Sequence, residues 1–135
     1  MKRLAITWLG HGTFLLTSPG GKRILIDPWL EGNPCCPDEW KRVSNVDLIL
    51  VTHGHADHIE DLLQTVRDTG APVVAIVEIC QWLKTKGVQR LCPMNKGGTF
   101  TFDGIFVSMV PAEHSSGWIE DDHLVYMGEA VGYVI

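Results

Sequence analysis

The feature that most constrains the fold of this 135-residue chain is a buried-strand pattern that runs directly into a cluster of histidines. Residues 47–52 read DLILVT, a nearly continuous apolar run typical of a strand covered on both faces of a sheet. The next six residues are His53-Gly-His55-Ala-Asp57-His58 and hold three of the six histidines of the chain. Because a helical pattern follows, these side chains are expected at the carboxyl end of a sheet, where α/β folds build their sites.

A helical pattern and a second strand pattern follow the cluster. Apolar residues recur at amphipathic helical spacing between residues 59 and 66, and Gly70 is a stop signal. Residues 73–77 predict another buried strand, joined to the first by a parallel crossover. Residues 78–86 predict a second short helix that ends at a glycine. Strand, helix and strand in this order predict the α/β class.

Antiparallel structure is predicted before this α/β unit. Three β-rich runs, at residues 4–9, 13–18 and 23–27, are separated by glycine- and proline-rich turns and predict a meander. Residues 29–45 show no clear period, so they predict an irregular loop that could form one wall of a site.

A second antiparallel region is predicted after the α/β unit. Residues 99–110 predict a hairpin around Asp103-Gly104, a dipeptide that signals a type I′ turn. A last β-like run occupies residues 132–135. Because no repeat or linker interrupts the sequence, residues 1–135 are expected to form one structural unit.

Composition and patterning exclude several classes of protein. The chain has 45% hydrophobic and 20% charged residues, as globular proteins do, and its longest apolar-or-Pro run, residues 71–77, is far shorter than the roughly 20 residues of a membrane span. No secretory signal pattern opens the chain, so a cytoplasmic protein without a membrane partner is expected. Basic residues are scattered, so no nucleic-acid partner is evident. Four cysteines without a C-x-x-C pattern predict reduced thiols.

The order His-x-His-x-Asp-His is suited to holding two metal ions. His53 and His55, two apart in an extended segment, project to the same side, and neutral imidazoles are good ligands for Zn²⁺. Asp57 and His58, at the start of the helix, could supply one oxygen and one nitrogen to a second ion. A simpler alternative is that Asp57 caps the helix, with Glu60 completing a capping box, and that the histidines are solvated.

Four segments of the chain together resemble the metallo-β-lactamase superfamily. They are residues 7–14 (TWLGHGTF), 26–28 (IDP), 52–58 (THGHADH) and 111–116 (PAEHSS). The chain is most similar to the small bacterial and archaeal metal-dependent hydrolases that resemble the L-ascorbate-6-phosphate lactonases. The resemblance implies an α/β fold, the metallo-β-lactamase-like αββα sandwich, of which this chain is only the N-terminal part. It also implies hydrolysis of an ester, lactone, amide or phosphate bond in a small-molecule substrate.

The resemblance also implies cofactors and their ligands. His53, His55 and His114 would bind the first of two divalent ions, and Asp57 and His58 the second. The ions are expected to be Zn²⁺, with Mn²⁺ as the alternative. Asp57 would in addition act as a catalytic residue that holds or relays a proton. Judged without the family, a histidine in a polar loop such as His114 is more often merely exposed than a ligand.

Several further residues lie in or near the matching segments. His11, between two glycines, would touch substrate or orient a ligand, although a turn histidine is an equal alternative. Asp27, before a proline, would accept a hydrogen bond behind a ligand, or would simply end a strand. Ser115 and Ser116 are expected to contact substrate or to belong to a plain loop, and His123 is expected in a solvated loop.

The family pattern also contains ligands that have no counterpart in this sequence. Family members continue into a second αββα half, which provides an aspartate that bridges both metals and one more histidine. The chain is therefore expected to be a fragment or a truncated product, with an exposed apolar sheet face that a homo-oligomer could cover. A second hypothesis follows, in which the chain is a catalytically incomplete metal-binding fragment that acts only by assembly with a partner chain.

Overall fold

A six-stranded mixed sheet, here called the first sheet, forms the centre of the fold. The computed structural model describes residues 3–135, so Met1 and Lys2 of the predicted unit lie outside the described residues. The strands follow one another across the sheet in chain order: β1 (Ala5–Trp8), β2 (Phe14–Thr17), β3 (Arg23–Ile26), β4 (Leu48–Leu50), β5 (Val73–Ile76) and β6 (Leu91–Met94). Strands β1 to β3 pair antiparallel, which confirms the predicted meander. Strands β3 to β6 run parallel.

The helix predicted after the histidine cluster is in fact two helices. The helical elements are α1 (Ala56–Ile59), α2 (Leu62–Thr69), α3 (Val77–Thr85) and a 3₁₀ turn over Asp38–Trp40. The break falls at Asp61, whose N–H donates to Pro28 O at 3.1 Å. The Asp61 carboxylate accepts the N–H groups of Leu30 at 2.6 Å and Glu31 at 3.0 Å, so the break fixes the irregular loop against the helix. Gly70 ends α2 with a left-handed φ of 64°, as predicted.

No helix among residues 3–135 combines the length and the apolar character needed to cross a bilayer.

A three-stranded antiparallel sheet, here called the second sheet, packs against the first. It contains β7 (Thr99–Phe102), β8 (Ile105–Pro111) and β11 (Val131–Val134) in the order β11-β8-β7, and a separate hairpin is formed by β9 (Gly117–Glu120) and β10 (His123–Tyr126). Asp103 and Gly104 have φ values of 47° and 82°, the positive values that a type I′ turn requires at both positions. The predicted β7–β8 hairpin is therefore confirmed.

The sequence pattern predicts neither β6 nor the β9–β10 hairpin. Strand β6 contains Pro93, which lacks an N–H group, and it is tolerated because β6 lies at an edge of the first sheet. Asp121 and Asp122, with φ values of 49° and 61°, form the turn between β9 and β10 without the glycine that usually signals it. His123 begins β10, so the prediction that it lies in a loop is wrong, although its side chain is exposed.

Both faces of the first sheet are covered. All three residues of Leu48–Leu50 are fully buried, which requires cover on each side of β4. One core cluster combines these residues with Leu62 of α2 and Met109 of β8. Tyr133 of β11 donates its hydroxyl to Val51 O at 2.8 Å, and burial raises the pKa of this hydroxyl, which keeps it a donor. The second sheet is thus hydrogen-bonded to the chain directly after β4.

The opposite side of the second sheet exposes apolar side chains to solvent, beside the polar Thr99, Thr101 and Ser108. Phe106 of β8 and Val134 of β11 are 64% and 61% exposed. On the β9–β10 hairpin, Ile119 pairs with Leu124, and both are exposed, as is Tyr126. The exposed apolar sheet face expected from the sequence is therefore present among the described residues. Its cover by a second copy of the chain stays a prediction.

Candidate metal centre

The predicted site residues converge at the carboxyl end of the parallel strands. Asp27 directly follows β3, and His11 lies in the turn between β1 and β2. His53 comes shortly after β4, and Thr52 directly precedes it. His114 comes from the loop that leaves β8. Parallel strands place their carboxyl ends at one edge of a sheet, which explains why residues distant in sequence meet there.

Three histidines form what we term the first cluster: His53, His55 and His114. One ring nitrogen of each lies within 4.8 Å of those of the other two. The ring centroid of His53 is 4.7 Å from that of His55 and 4.7 Å from that of His114. His55 is the N-cap of α1 in an extended conformation, so His53 and His55 project to the same side as predicted. His114 is exposed and still belongs to the cluster.

His11, Asp57 and His58 form what we term the second cluster. Their ligand atoms also lie within 4.8 Å of one another, and His11 Nε2 is 2.9 Å from Asp57 Oδ2. Asp57 does not cap α1, because the N-cap is His55 and no side chain caps the helix there. Glu60 accepts a hydrogen bond from Trp29 Nε1 at 2.8 Å. The capping-box alternative for Asp57 and Glu60 is therefore wrong.

The buried carboxylate of Asp27 orients one histidine of each cluster. It accepts the Thr52 N–H at 2.7 Å and the Thr52 hydroxyl, and its Oδ2 lies 2.9 Å from His58 Nδ1. Since an ionised carboxylate only accepts, the His58 proton is on Nδ1 and its Nε2 lone pair is free. The Thr52 hydroxyl donates its only hydrogen to Asp27, so it accepts from His53 Nδ1 at 2.9 Å. His53 Nε2 is then also a free lone pair.

His53 Nε2 is a buried polar atom without a hydrogen-bond partner. The side chain is 5% exposed, and burial, followed by the neighbouring His58, His55 and His114, lowers its pKa to about 4. The ring is therefore neutral at pH 7. A buried unpaired acceptor is unfavourable by roughly 1–3 kcal/mol. An orphaned imidazole lone pair facing two further imidazoles fits a metal ion such as Zn²⁺.

Two serines connect the His114 loop to the histidine motif. Gly54 N–H donates to Ser116 Oγ at 3.1 Å, and the Ser116 hydroxyl donates to Met127 O at 3.4 Å. A side chain at position 54 would overlap Met127, so Gly54 permits this close approach. Ser115 Oγ lies 3.4 Å from His55 Nε2. Ser115 therefore lies beside the first cluster, while its contact with substrate stays a prediction, and Ser116 is an anchor that sequence reasoning missed.

Thr52 is the second residue that sequence reasoning missed. Its position directly before His53 at the end of a strand is a signal that could have identified it, because such a hydroxyl lies beside the first ligand.

The candidate metal centre lies at the surface and is partly open to solvent. The side chains of His11 and Asp57 are 45% and 47% exposed, so the second cluster is accessible to a small molecule. A cavity of about 540 Å³ lies instead along α3 and β6 and includes Lys84 and Leu91. That cavity contains no member of either cluster.

Comparisons with known proteins find related sequences and structures. Residues 22–135 match the family described as "Beta-lactamase superfamily domain". A protein of Koribacter versatilis named a UPF0173 metal-dependent hydrolase is 50% identical over 135 residues, which cover 100% of this chain and 58% of that protein. Igni18, described as a novel metallo hydrolase from the hyperthermophilic archaeon Ignicoccus hospitalis, aligns with a TM-score of 0.79 at 34% identity and covers 97% of this chain and 55% of that chain.

A more distant solved structure shares the fold alone. CmlA, a diiron beta-hydroxylase from Streptomyces venezuelae, aligns with a TM-score of 0.68 at 19% identity and covers 98% of this chain and 27% of that chain. The chain spans 58% of the Koribacter protein and 55% of Igni18, so it corresponds to a little over half of each.

Proposed function

Because this chain belongs to the metallo-β-lactamase superfamily, we propose that it is a metal-dependent hydrolase whose centre is formed by the first and second clusters. The superfamily and the fold class predicted from the sequence are both confirmed by the match over residues 22–135 and by the similarity to Igni18. The observation that carries the proposal is the orphaned Nε2 of His53, buried among histidines and free to bind a metal.

The residues present provide ligands for two ions. His53, His55 and His114 would hold the first ion, and Asp57 with His58 the second. Imidazole and carboxylate donors suit Zn²⁺, and Mn²⁺ is the alternative because it accepts the same nitrogen and oxygen atoms. Two of these imidazoles are oriented from behind by Asp27, the arrangement that fixes the tautomer of metal-binding histidines.

The side chains at the mouth of the centre determine what chemistry the chain can support. A divalent ion held by these residues would supply Lewis acidity, which acidifies a water and polarises the oxygen of the bond to be cleaved. Asp57 is half exposed and can accept a proton and return it to a leaving group. The Ser115 hydroxyl beside His55 can donate a hydrogen bond to a substrate oxygen. The net charge of −5 permits an anionic substrate, because ions would dominate the local field.

The proposed substrate is a small molecule with an ester, lactone, amide or phosphate bond. The open position of both clusters supports this class, since a compact substrate can reach them without a groove. The named metal-dependent hydrolase of Koribacter versatilis supports the reaction type.

One structural feature favours a second candidate function. The outward side of the second sheet exposes Phe106 and Val134, a surface expected to be covered in an assembly. In this alternative the chain binds metal and acts only when assembled with a partner chain.

Elemental analysis and molar mass, measured on the same purified sample, separate the two functions. We expect bound divalent ions and chelator-sensitive hydrolysis of a panel of ester, lactone, amide and phosphate substrates. His53→Ala and His55→Ala should each abolish hydrolysis and remove the first ion, whereas His123→Ala, which changes an exposed histidine outside the clusters, should change neither. Hydrolysis that persists in His53→Ala and His55→Ala would refute the proposal. Metal binding without turnover in a monomer, and turnover on assembly, would support the alternative.

A further inference from the structure

We propose that His11 is a ligand of the second ion through Nε2, so that His11, Asp57 and His58 form a three-ligand site within this chain. The inference rests on the proposed metal-dependent function. It goes beyond the pair of ligands, Asp57 and His58, that the family resemblance implies for the second ion.

The donor atoms of the three residues already converge. His11 Nε2 lies 2.9 Å from Asp57 Oδ2, and the ring centroids of His11 and His58 are 5.0 Å apart. One ligand atom from each residue lies within 4.8 Å of those of the other two. Two imidazoles and one carboxylate are a donor set used by catalytic zinc sites, which leave a further position open.

The orientation of His58 leaves the required atom available. Its Nδ1 is occupied by the buried Asp27 carboxylate at 2.9 Å, so Nε2 is the free donor. A side chain at position 12 would overlap the His58 ring, so Gly12 is what allows the His11 turn to approach. This close approach places His11 beside His58 rather than out in solvent.

The backbone of His11 is held in a conformation that residues other than glycine rarely adopt. Its φ is +48°. The preceding residue, Gly10, has a φ of +97°, and the following residue, Gly12, lies in close contact with the His58 ring. The turn is fixed by Thr13 N–H donating to Gly10 O at 3.0 Å and by Trp8 Nε1 donating to His11 O at 2.9 Å. Such constrained residues concentrate at functional sites, and here the constraint directs the imidazole towards Asp57.

The half-exposed position of the second cluster suits a site that exchanges ligands. The side chains of His11 and Asp57 are 45% and 47% exposed, so water or substrate can reach an ion held between them. The Trp29 ring stands edge-on to His11 at 5.4 Å between centroids and limits rotation of the imidazole. The competing explanation is that His11 only donates a hydrogen bond to Asp57 and never contacts an ion.

Zinc titration of the ¹⁵N-histidine-labelled protein tests the inference directly. The metal-free chain is titrated with Zn²⁺ alone while imidazole ¹⁵N shifts and bound zinc are followed. We expect two ions per chain, with the His11 Nε2 signal moving only during the second equivalent. His11→Ala should retain the first ion and lose affinity for the second by more than the roughly 10–100-fold that loss of an outer partner produces. His123→Ala is the matched control and should bind both ions as the unmodified chain does.

The result that overturns the inference is a His11 Nε2 signal that stays unchanged while two ions bind. Retention of both ions at unchanged affinity by His11→Ala would also overturn it, and so would a single ion bound at the first cluster. In these cases the proposed function survives, because the first cluster still loads. If the unmodified chain binds no zinc, the proposed function itself fails. Each variant is shown to be folded by its circular dichroism spectrum and by its binding of the first ion.

Discussion

The two clusters of the candidate metal centre are built in different ways. The second cluster comes from the β1–β2 turn and helix α1, so the first sheet and its own helix are enough to assemble it. The first cluster needs His114, which arrives from the loop after β8 and depends on docking of the second sheet. One cluster is therefore mostly a product of local structure, and the other a product of how two sheets pack.

The clusters also differ in their exposure, and they share one support. His53 is buried in the first cluster, whereas His11 and Asp57 in the second are half exposed. Asp27 contacts both, directly at His58 and through Thr52 at His53. The comparison teaches that changes at Asp27 should affect both clusters, whereas changes at the sheet interface should affect only the first.

Among changes to residues other than the proposed metal ligands, the largest effect is expected from Asp27→Ala. The buried donors of Thr52 and His58 would lose their acceptor, at roughly 1–3 kcal/mol for each orphaned group. Zinc affinity should fall roughly 10–100-fold at both clusters, because both histidines lose their orientation. Urea unfolding of the metal-free protein and zinc titration with a competing chelator measure the two effects.

Asp47→Ala is the matched control for Asp27. Asp47 accepts the Arg23 N–H at 2.8 Å at the other end of the same strands, so its loss should lower stability and leave zinc affinity unchanged. If Asp27→Ala weakened one cluster and spared the other, its role as a shared support would be wrong.

A pair of glycine variants should separate the clusters. In Gly54→Ala the new methyl group would overlap Met127, whose carbonyl accepts from Ser116, and would shift the His114 loop away from His53, which should weaken the first ion. In Gly12→Ala it would overlap the His58 ring and weaken the second ion. Overpacking of this kind is unfavourable by about 1–3 kcal/mol. Zinc stoichiometry and affinity, measured by calorimetry, show which ion each variant loses.

Gly20→Ala is the control for this pair, because its nearest neighbour is the flexible Ser18 hydroxyl at 3.6 Å and the variant should bind both ions. Equal weakening of both ions by Gly54→Ala and by Gly12→Ala would remove the distinction between the clusters.

Tyr133→Phe should loosen the sheet interface without a steric clash. It removes the hydroxyl that donates to Val51 O at 2.8 Å, a loss of about 1 kcal/mol for a neutral hydrogen bond. We expect a lower Tm and a small decrease in affinity for the first ion only. Thermal unfolding with and without zinc measures this, and Tyr126→Phe, at an exposed tyrosine, should leave both quantities unchanged.

The smallest effect is the pH dependence contributed by His53. Burial lowers its pKa from 6.5 to about 4, so between these values the unfolded chain binds more protons than the folded one. Stability of the metal-free protein is therefore full above pH 6.5 and falls as the pH decreases towards 4. From about pH 7 to pH 6 the loss due to this histidine is roughly 0.7 kcal/mol.

Urea unfolding at these two pH values measures the effect. His53→Gln should reduce the difference, and His123→Gln should preserve it. A difference of the same size in His53→Gln would assign the pH dependence to another group.

Much of the fold was predictable because its signals are local. The run at 47–52 predicts a strand buried on both faces, and Asp103-Gly104 predicts the β7–β8 turn. The β9–β10 turn is different, since Asp121 and Asp122 adopt positive φ without a glycine and give no comparable signal. The helix break at Asp61 could not be predicted from the sequence either, because the Asp61 N–H donates to the carbonyl of Pro28, which is far away in the sequence.

The sequence by itself was enough to identify the His-x-His-x-Asp-His motif and to place it after a buried strand. Spacing along an extended chain is enough to bring His53 and His55 to one side. Only the tertiary structure decided that His114 joins them, that His11 meets Asp57, and that Asp27 lies behind both clusters. The physical reason is that contacts between distant segments depend on strand register and sheet packing, and a shift of one residue would turn each side chain to the other face.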